Sequence, residues 1–311
     1  VGRKIAPLIG AAPSQVLCCD SVSVNLFKLL TAALANRRSE HAVILSQQDN
    51  FPSDLYIAEG LIKLLREHGM SAELKLAAPE NLEQAVKKSP DVLMLTHVNF
   101  RTGAVHDMPR LTDLAHDNDT LVIWDLSHSA GAIELALDDC QVDFAVGCGY
   151  KFLNGGPGAP AFLYVASRHQ ARLHQPLQGW MGHRQPFEFE THYEPDEGIN
   201  QLQTGTPGIL SMSALDASLS CFEGISAVQL RKKSLALSEM FLSLLERDSV
   251  CQELTLVSPR DPQLRGAQLS FSHSQAFPIS QALIEAGVIV DFRSPNLIRL
   301  GFSPLFLSFA E

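Results

Sequence analysis

Short apolar runs alternate with helical periods along this chain, and that alternation constrains the fold more than any other feature. "QVLCCD", "HAVILSQ", "AELKLA", "DVLMLTHV", "TLVIWD", "VDFAVGCG" and "PAFLYV" read as strands. Between them, "SVSVNLFKLLTAALAN", "PSDLYIAEGLIKLLREHG", "ENLEQAVKK" and "MPRLTDLAHDN" carry apolar residues at helical spacing. Strands that are apolar at nearly every position need cover on both faces. The order therefore predicts an α/β fold, with a mostly parallel sheet of the seven-stranded type flanked by helices. Ligands of such sheets bind at the carboxyl ends of the strands. Asp125, His128, Tyr150 and Lys151 all fall at such ends.

After about residue 166 the pattern changes. "RHQARLHQPLQGWMGHRQPFEFETHYEPDEGINQLQTGTP" has few regular periods and reads as a long ordered loop, which in a compact chain is usually functional. Helical patterns follow in "ILSMSALDASLSCFEG" and "SAVQLRKKSLALSEMFLSLLER". "LTLVSP", "GAQLSFSH", "ISQALIEAGVIVDFR" and "LIRLGFS" then suggest a small α+β unit. The expected division is a large domain over residues 1–222 and a small C-terminal domain over 223–311. The chain opens without Met on "VGRKIAPLIGAAP" and stops within an apolar pattern at "PLFLSFAE", so both ends are expected to be trimmed.

At 311 residues the chain is long enough for one large core and a smaller one. A formal net charge of -10 argues against a general nucleic-acid binder. No apolar run reaches the ~18 residues of a membrane span, and no signal pattern opens the chain. Six cysteines in mostly apolar contexts suggest reduced core thiols in a cytoplasmic protein. No Cys-x-x-Cys or His-Glu-x-x-His supports a metal site.

The chemistry is carried by "TLVIWDLSHSAG" and "VDFAVGCGYKFLNGGPG". A lysine flanked by glycines can approach a flat ligand, and its amine can condense with an aldehyde. Pyridoxal phosphate needs such a lysine. It also needs a carboxylate to keep its ring nitrogen protonated. Asp125 suits that second need, and His128 suits the ring's phenolic oxygen. "DSVSVN", with Ser21 and Ser23 opening a helix, supplies donors for a phosphate. Taken singly, each feature has a plainer reading: a surface lysine, a strand-end cap, an ordinary helix start, a turn. Only their ordered combination is informative.

With these residues, "FPSDLY", "HVNFRTGAVHDM", "GWMGH" and "IRLGFSPL" complete a set that resembles the kynureninase family over nearly the whole chain. These are pyridoxal-phosphate enzymes of the fold-type I aminotransferase superfamily, class V-like. The resemblance implies hydrolysis of L-kynurenine, or of 3-hydroxykynurenine, to anthranilate and L-alanine by Cβ–Cγ cleavage in tryptophan catabolism. It implies that Lys151 carries the cofactor and shuttles a proton, and that Asp125 pairs with the ring nitrogen. His128 would lie at the phenolic oxygen. Tyr150 would bind the phosphate and supply a proton, with Val22 (by its backbone) and Ser23 also on the phosphate. Phe51 would stack on the ring, and Asp54 and Thr96 would lie beside it. Trp180 and Thr206 would reach the phosphate from the second subunit of a homodimer, and Arg299 would grip the substrate's α-carboxylate. Segments that close the substrate pocket at the N-terminus and complete the small domain at the C-terminus are expected to be missing.

Three other readings compete. A cysteine desulfurase or class V aminotransferase would use the same cofactor, but a desulfurase wants an exposed cysteine on a flexible loop. A scaffold protein on a decayed enzyme fold would not bind the cofactor. A nucleotide-binding protein lacks support, since no Gly-x-Gly-x-x-Gly follows the first strand.

Overall fold

A computed structural model describes residues 1–35 and 40–311. Asn36, expected to end the first long helix, lies outside the described residues. Among the described residues seven strands form one sheet. They are β1 (Val16–Cys18), β2 (His41–Gln47), β3 (Ser71–Ala77), β4 (Val92–Thr96), β5 (Leu121–Asp125), β6 (Phe144–Cys148) and β7 (Ala161–Val165). Their order is β1-β7-β6-β5-β4-β2-β3. Neighbours from β6 to β3 run parallel, while β7 runs against both β6 and β1. The mostly parallel α/β sheet expected from the sequence is thus the fold observed.

β4, β5, β6 and β7 are buried along nearly their whole length. Burying one Val, Leu, Ile or Phe side chain is worth about 1.5–3 kcal/mol, more than the roughly 1–2 kcal/mol needed to order one residue's backbone. Those runs therefore take the centre of the sheet. One face packs Trp124, Phe162 and Tyr164 with Ile5 and Ile9 of the N-terminal turns. The other packs Ile44 and Val146 against Leu26, Leu29 and Leu30 of the helix Val22–Ala35. The register sets Thr96 opposite Asp125, so the carboxyl ends of β4 and β5 stand level.

Two helices start at that edge. One is Val22–Ala35, and the other is Pro52–Glu67, which has Pro in its first turn. The region between β7 and the helix Ile209–Ser220 carries only short turns, at Ser167–Gln170, Trp180–Gly182 and Gly198–Leu202.

A second sheet follows, built from β8 (Thr255–Leu256), β9 (Gln268–Ser272), β10 (Asp291–Arg293) and β11 (Leu297–Gly301), in the antiparallel order β10-β11-β9-β8. Leu242 of the helix Ala227–Leu245 packs on its Leu269 and Phe271. It meets the first sheet's edge through the segment after β4. Ala104 bridges Arg265, and the Phe100 carbonyl accepts hydrogen bonds from Gln268 Nε2, at 3.1 Å, and from the Arg299 guanidinium.

Candidate active site

A cavity of about 530 Å³ opens at the carboxyl edge of the large sheet. Val22, Ser23, Phe51, Asp54, Thr96, Asp125, His128, Tyr150, Lys151 and Thr206, ten residues singled out from the sequence, line it together. The size is in the ordinary range for a small-molecule site.

Lys151 follows β6 and projects into the space between His128 and two aromatic rings. Its Nζ is 3.1 Å from His128 Nε2, 5.8 Å from the Phe51 ring centre and 5.7 Å from that of Tyr150. His128 has its charged form disfavoured, first by desolvation and then by Lys151 and Arg299, so its imidazole is neutral. Its Nδ1 is buried and has no hydrogen-bond partner among the described residues. Tyr150 is half exposed, and burial of its hydroxyl followed by the nearby Cys148 pushes its pKa up to about 12, which keeps the hydroxyl protonated.

Asp125 ends β5 with its carboxylate turned back onto Ser127, whose N–H and hydroxyl donate to Oδ1 at 2.8 and 2.5 Å. Desolvation raises its pKa and Lys151 opposes that rise. Asp54, 2 % exposed, faces it. Desolvation and then the Asp125 charge push Asp54 well above the usual carboxylate range. Two buried carboxyls side by side share one proton. The stronger upward push falls on Asp54, which draws the shared proton to that side.

The opposite end of the cavity is built by helix starts. Ser21 Oγ accepts from Val24 N–H at 3.3 Å, and Ser23 Oγ lies 3.1 Å from Ser53 Oγ in the first turn of Pro52–Glu67. Free N–H groups at two helix ends, with hydroxyls between them, favour an anion. The segment Gln203–Gly208 closes the wall, and Thr204 Oγ1 is a buried atom without a hydrogen-bond partner among the described residues.

Phe100, Ser53, Ser127 and Gln203–Gly208 are further parts of the wall. Phe100 lies in the "HVNFRTGAVHDM" stretch, which by itself assigns it no role. It joins the site because its ring meets Phe51 edge-on at 5.2 Å. The glycines on either side of Lys151 differ from their expected role as room for a ligand. A Cβ at Gly149 would stand 2.4 Å from the Pro160 carbonyl, and one at Gly155 would stand 2.8 Å from Leu215 Cδ1, so these two serve close packing. Of the glycines in the run after Lys151, Gly158 lines the cavity.

Trp180 and Arg299 stand outside the lining. Trp180 is 39 % exposed, meets Phe187 edge-on and stacks on Phe189, both largely exposed. The Arg299 guanidinium is held by the Asp291 carboxylate and by the carbonyl of Phe100, itself part of the wall. Cys18, Cys19 and Cys148 are buried as expected, whereas Cys221 is exposed at the end of its helix. Among the described residues no group of His, Cys, Asp or Glu gathers as a metal-ligand set. No described helix is long and apolar enough to cross a membrane.

The donor set fits pyridoxal 5'-phosphate. It offers an amine beside an aromatic ring, a buried anion, an unsatisfied histidine nitrogen and an anion-favouring end.

Residues 230–311 match the family described as the kynureninase C-terminal domain. The kynureninase of Pseudomonas fluorescens is 45% identical over 314 residues, covering 100% of this chain and 75% of that protein. Among solved structures, the apo cysteine desulfurase of Thermococcus onnurineus NA1 superposes with a TM-score of 0.79 at 20% identity, covering 97% of this chain and 78% of that one. A C-DES mutant with glycine covalently linked to its PLP cofactor gives 0.82 at 17%, covering 99% and 82%. At those identities the likeness to solved structures speaks for the fold.

Proposed function

The chain belongs to the kynureninase family, and from that premise we propose which of its residues carry the hydrolysis of L-kynurenine to anthranilate and L-alanine. It is a pyridoxal-phosphate enzyme that cleaves a carbon–carbon bond of kynurenine. The alternative of a desulfurase or aminotransferase is not favoured, because the likeness to desulfurases is confined to the fold.

The observation that carries the assignment is the single cavity into which Lys151 and Asp125 both project, from the ends of adjacent strands. Lys151 holds the cofactor and, once released by the substrate amine, takes the proton from the substrate's Cα. Asp125, kept ionised by the proton on Asp54, holds the ring nitrogen protonated. When bound, the cofactor supplies an electron sink for the bonds around Cα. Phe51 would cover the ring, with Thr96 beside it, and neutral His128 would hydrogen-bond its phenolic oxygen. Val22 and Ser23 would hold the phosphate, and Thr206, expected to reach it from a second subunit, lines the cavity of its own chain and would hold it from there. Water would add to the substrate's γ-carbonyl, the Cβ–Cγ bond would then break to release anthranilate, and Tyr150, protonated and beside Lys151, would deliver a proton to Cβ of the alanine portion. Arg299 grips the α-carboxylate, which would replace Asp291 in its fork.

We also propose a cytoplasmic homodimer. The exposed cluster of Trp180, Phe187 and Phe189 supports an interface that brings Trp180 to the partner's phosphate. The boundary between a cofactor-holding domain, 1–222, and a small domain, 223–311, is supported by the second sheet, which lies wholly in the latter.

The test is turnover of L-kynurenine followed by anthranilate fluorescence, with L-cysteine and sulfide release as the counter-assay. Anthranilate should form and sulfide should not. Lys151→Ala should lower turnover by at least about 10³-fold. Full activity in that variant, or sulfide as the main product, would overturn the assignment.

A further inference from the structure

Lys28 has no part in the chemistry above, yet it is among the most deeply buried charges in the protein. It lies in the helix Val22–Ala35 with a side-chain exposure of 0%. Its Nζ donates to Asp20 Oδ2 at 2.6 Å and to the Leu202 carbonyl at 2.5 Å. Asp20 belongs to the turn that leads into Ser21, Val22 and Ser23. Leu202 leads into Gln203–Gly208, which carries Thr206. Both segments line the same end of the cavity. Lys28 therefore joins, from beneath, two stretches of chain that are far apart in sequence and meet where the phosphate is assigned.

A second fully buried polar residue braces the same turn. Asn25, three residues before Lys28 on the same helix face, donates from Nδ2 to the Cys19 carbonyl at 2.8 Å. Asp20 itself sits at φ +48°, a left-handed conformation that an aspartate adopts at some cost. Leu26, Leu29 and Leu30 of the same helix, and Leu202 itself, belong to one buried apolar cluster. A methionine or leucine there would pack without the cost of desolvating an ammonium, and a buried ion pair is seldom the most stable solution. A role beyond packing explains why the charge is there.

The Asp20 side chain is 30% exposed, and Asp20 lines the cavity wall. A carboxylate at an anion-binding end is repulsive unless a cation offsets it. We infer that Lys28 is a positioning residue for the cofactor's phosphate: it offsets the charge of Asp20 and pins the turn at Val22–Ser23 to the loop that carries Thr206. This rests on the reading that the cavity holds pyridoxal 5'-phosphate with its phosphate at that end.

The experiment titrates cofactor-free protein with pyridoxal 5'-phosphate and, separately, with pyridoxal, which lacks the phosphate. Wild-type protein should prefer the phosphorylated form. Lys28→Met should weaken binding of that form by about 10-fold or more, and of pyridoxal by less than about 3-fold. Adding Asp20→Asn to Lys28→Met should restore most of the lost preference, because the uncompensated charge is gone. Equal losses for both ligands, or no recovery in the double variant, would mean that Lys28 is only a structural staple and would overturn the proposal. Should Lys28→Met fail to fold, Asp20→Asn alone decides. It should keep or strengthen the preference for the phosphorylated form, and a loss of about 10-fold sinks the proposal. A wild-type protein with no preference for the phosphorylated form would instead overturn the placement of the phosphate, and the inference with it.

Discussion

At Asp54 and Asp125 two carboxyls occupy a place that water hardly reaches, and a proton on the first lets the second stay ionised. The pair makes a prediction at the scale of single residues. Asp54 has its folded-state pKa raised, so its contribution to stability is complete below the unfolded value of about 3.9 and is lost as pH rises through the folded one. Asp54→Asn removes that loss. The thermal midpoint of the cofactor-free variant should therefore climb relative to wild type as pH goes from about 4 to about 8, by roughly 2 °C or more. A difference that stays flat across this range would put the proton elsewhere. In turnover, Asp125→Asn should cost at least about an order of magnitude more kcat/KM than Asp54→Asn, since asparagine at 54 still offers a neutral donor. Asp125 and Lys151 were legible as residues because each breaks an apolar run. The protonated state of Asp54 was not, because it depends on a neighbour 71 positions away along the chain.

At the scale of elements, the strands and helices follow from periodicity, but their ends are fixed by contacts that periodicity does not report. Asp143, just before β6, is a case. Its carboxylate accepts from Val122 N–H of β5 at 2.8 Å and from Arg168 at 2.7 Å, and lies 2.9 Å from His116 Nε2 and 2.7 Å from His169 Nε2. Burial works against its ionisation, but the bonds from His116, His169 and Val122 outweigh it and hold the carboxyl well below its usual range. The folded pKa is lowered, so the stabilisation is present above about pH 3.9 and is lost as pH falls further. Asp143→Asn should cost about 2–4 kcal/mol in urea unfolding at neutral pH. The gap from wild type should narrow as pH drops below about 4. A gap independent of pH would show that shape, not charge, matters at this position. The N-terminal turns are another case. "VGRKIAPLIG" gave no regular reading, yet Ile5 and Ile9 are fully buried against the sheet, so tertiary burial gave order to a segment that local preference left open.

At the scale of the whole molecule, the proposed dimer would cover the aromatic cluster at Trp180. Phe187 is 72% and Phe189 74% exposed around Trp180, close in sequence to the loop that lines the cavity. Exposed apolar surface of this kind supports the proposed dimer interface. The protein is expected to sediment as a dimer, and Phe187→Glu with Phe189→Glu should shift it to monomer. Affinity for pyridoxal 5'-phosphate should fall with it by about 10-fold or more if Trp180 completes the partner's site. Monomeric wild-type protein with full activity would rule that arrangement out.

The sequence by itself determined the α/β class, the order of strands and helices, and the chemistry of the site. Apolar periodicity and charged residues at strand ends are local signals, and each survives in one dimension. Tertiary structure alone decided which helix starts converge on the cavity and that Phe100 joins its wall. It also decided that Arg299 rests on Asp291 and Phe100, and that Lys28 points inward to join Asp20 and Leu202. Those outcomes depend on burial and on partners distant in sequence. Desolvation and charge act through space, and the links from Lys28 to Leu202 and from Arg299 to Phe100 join residues that no short window along the chain contains.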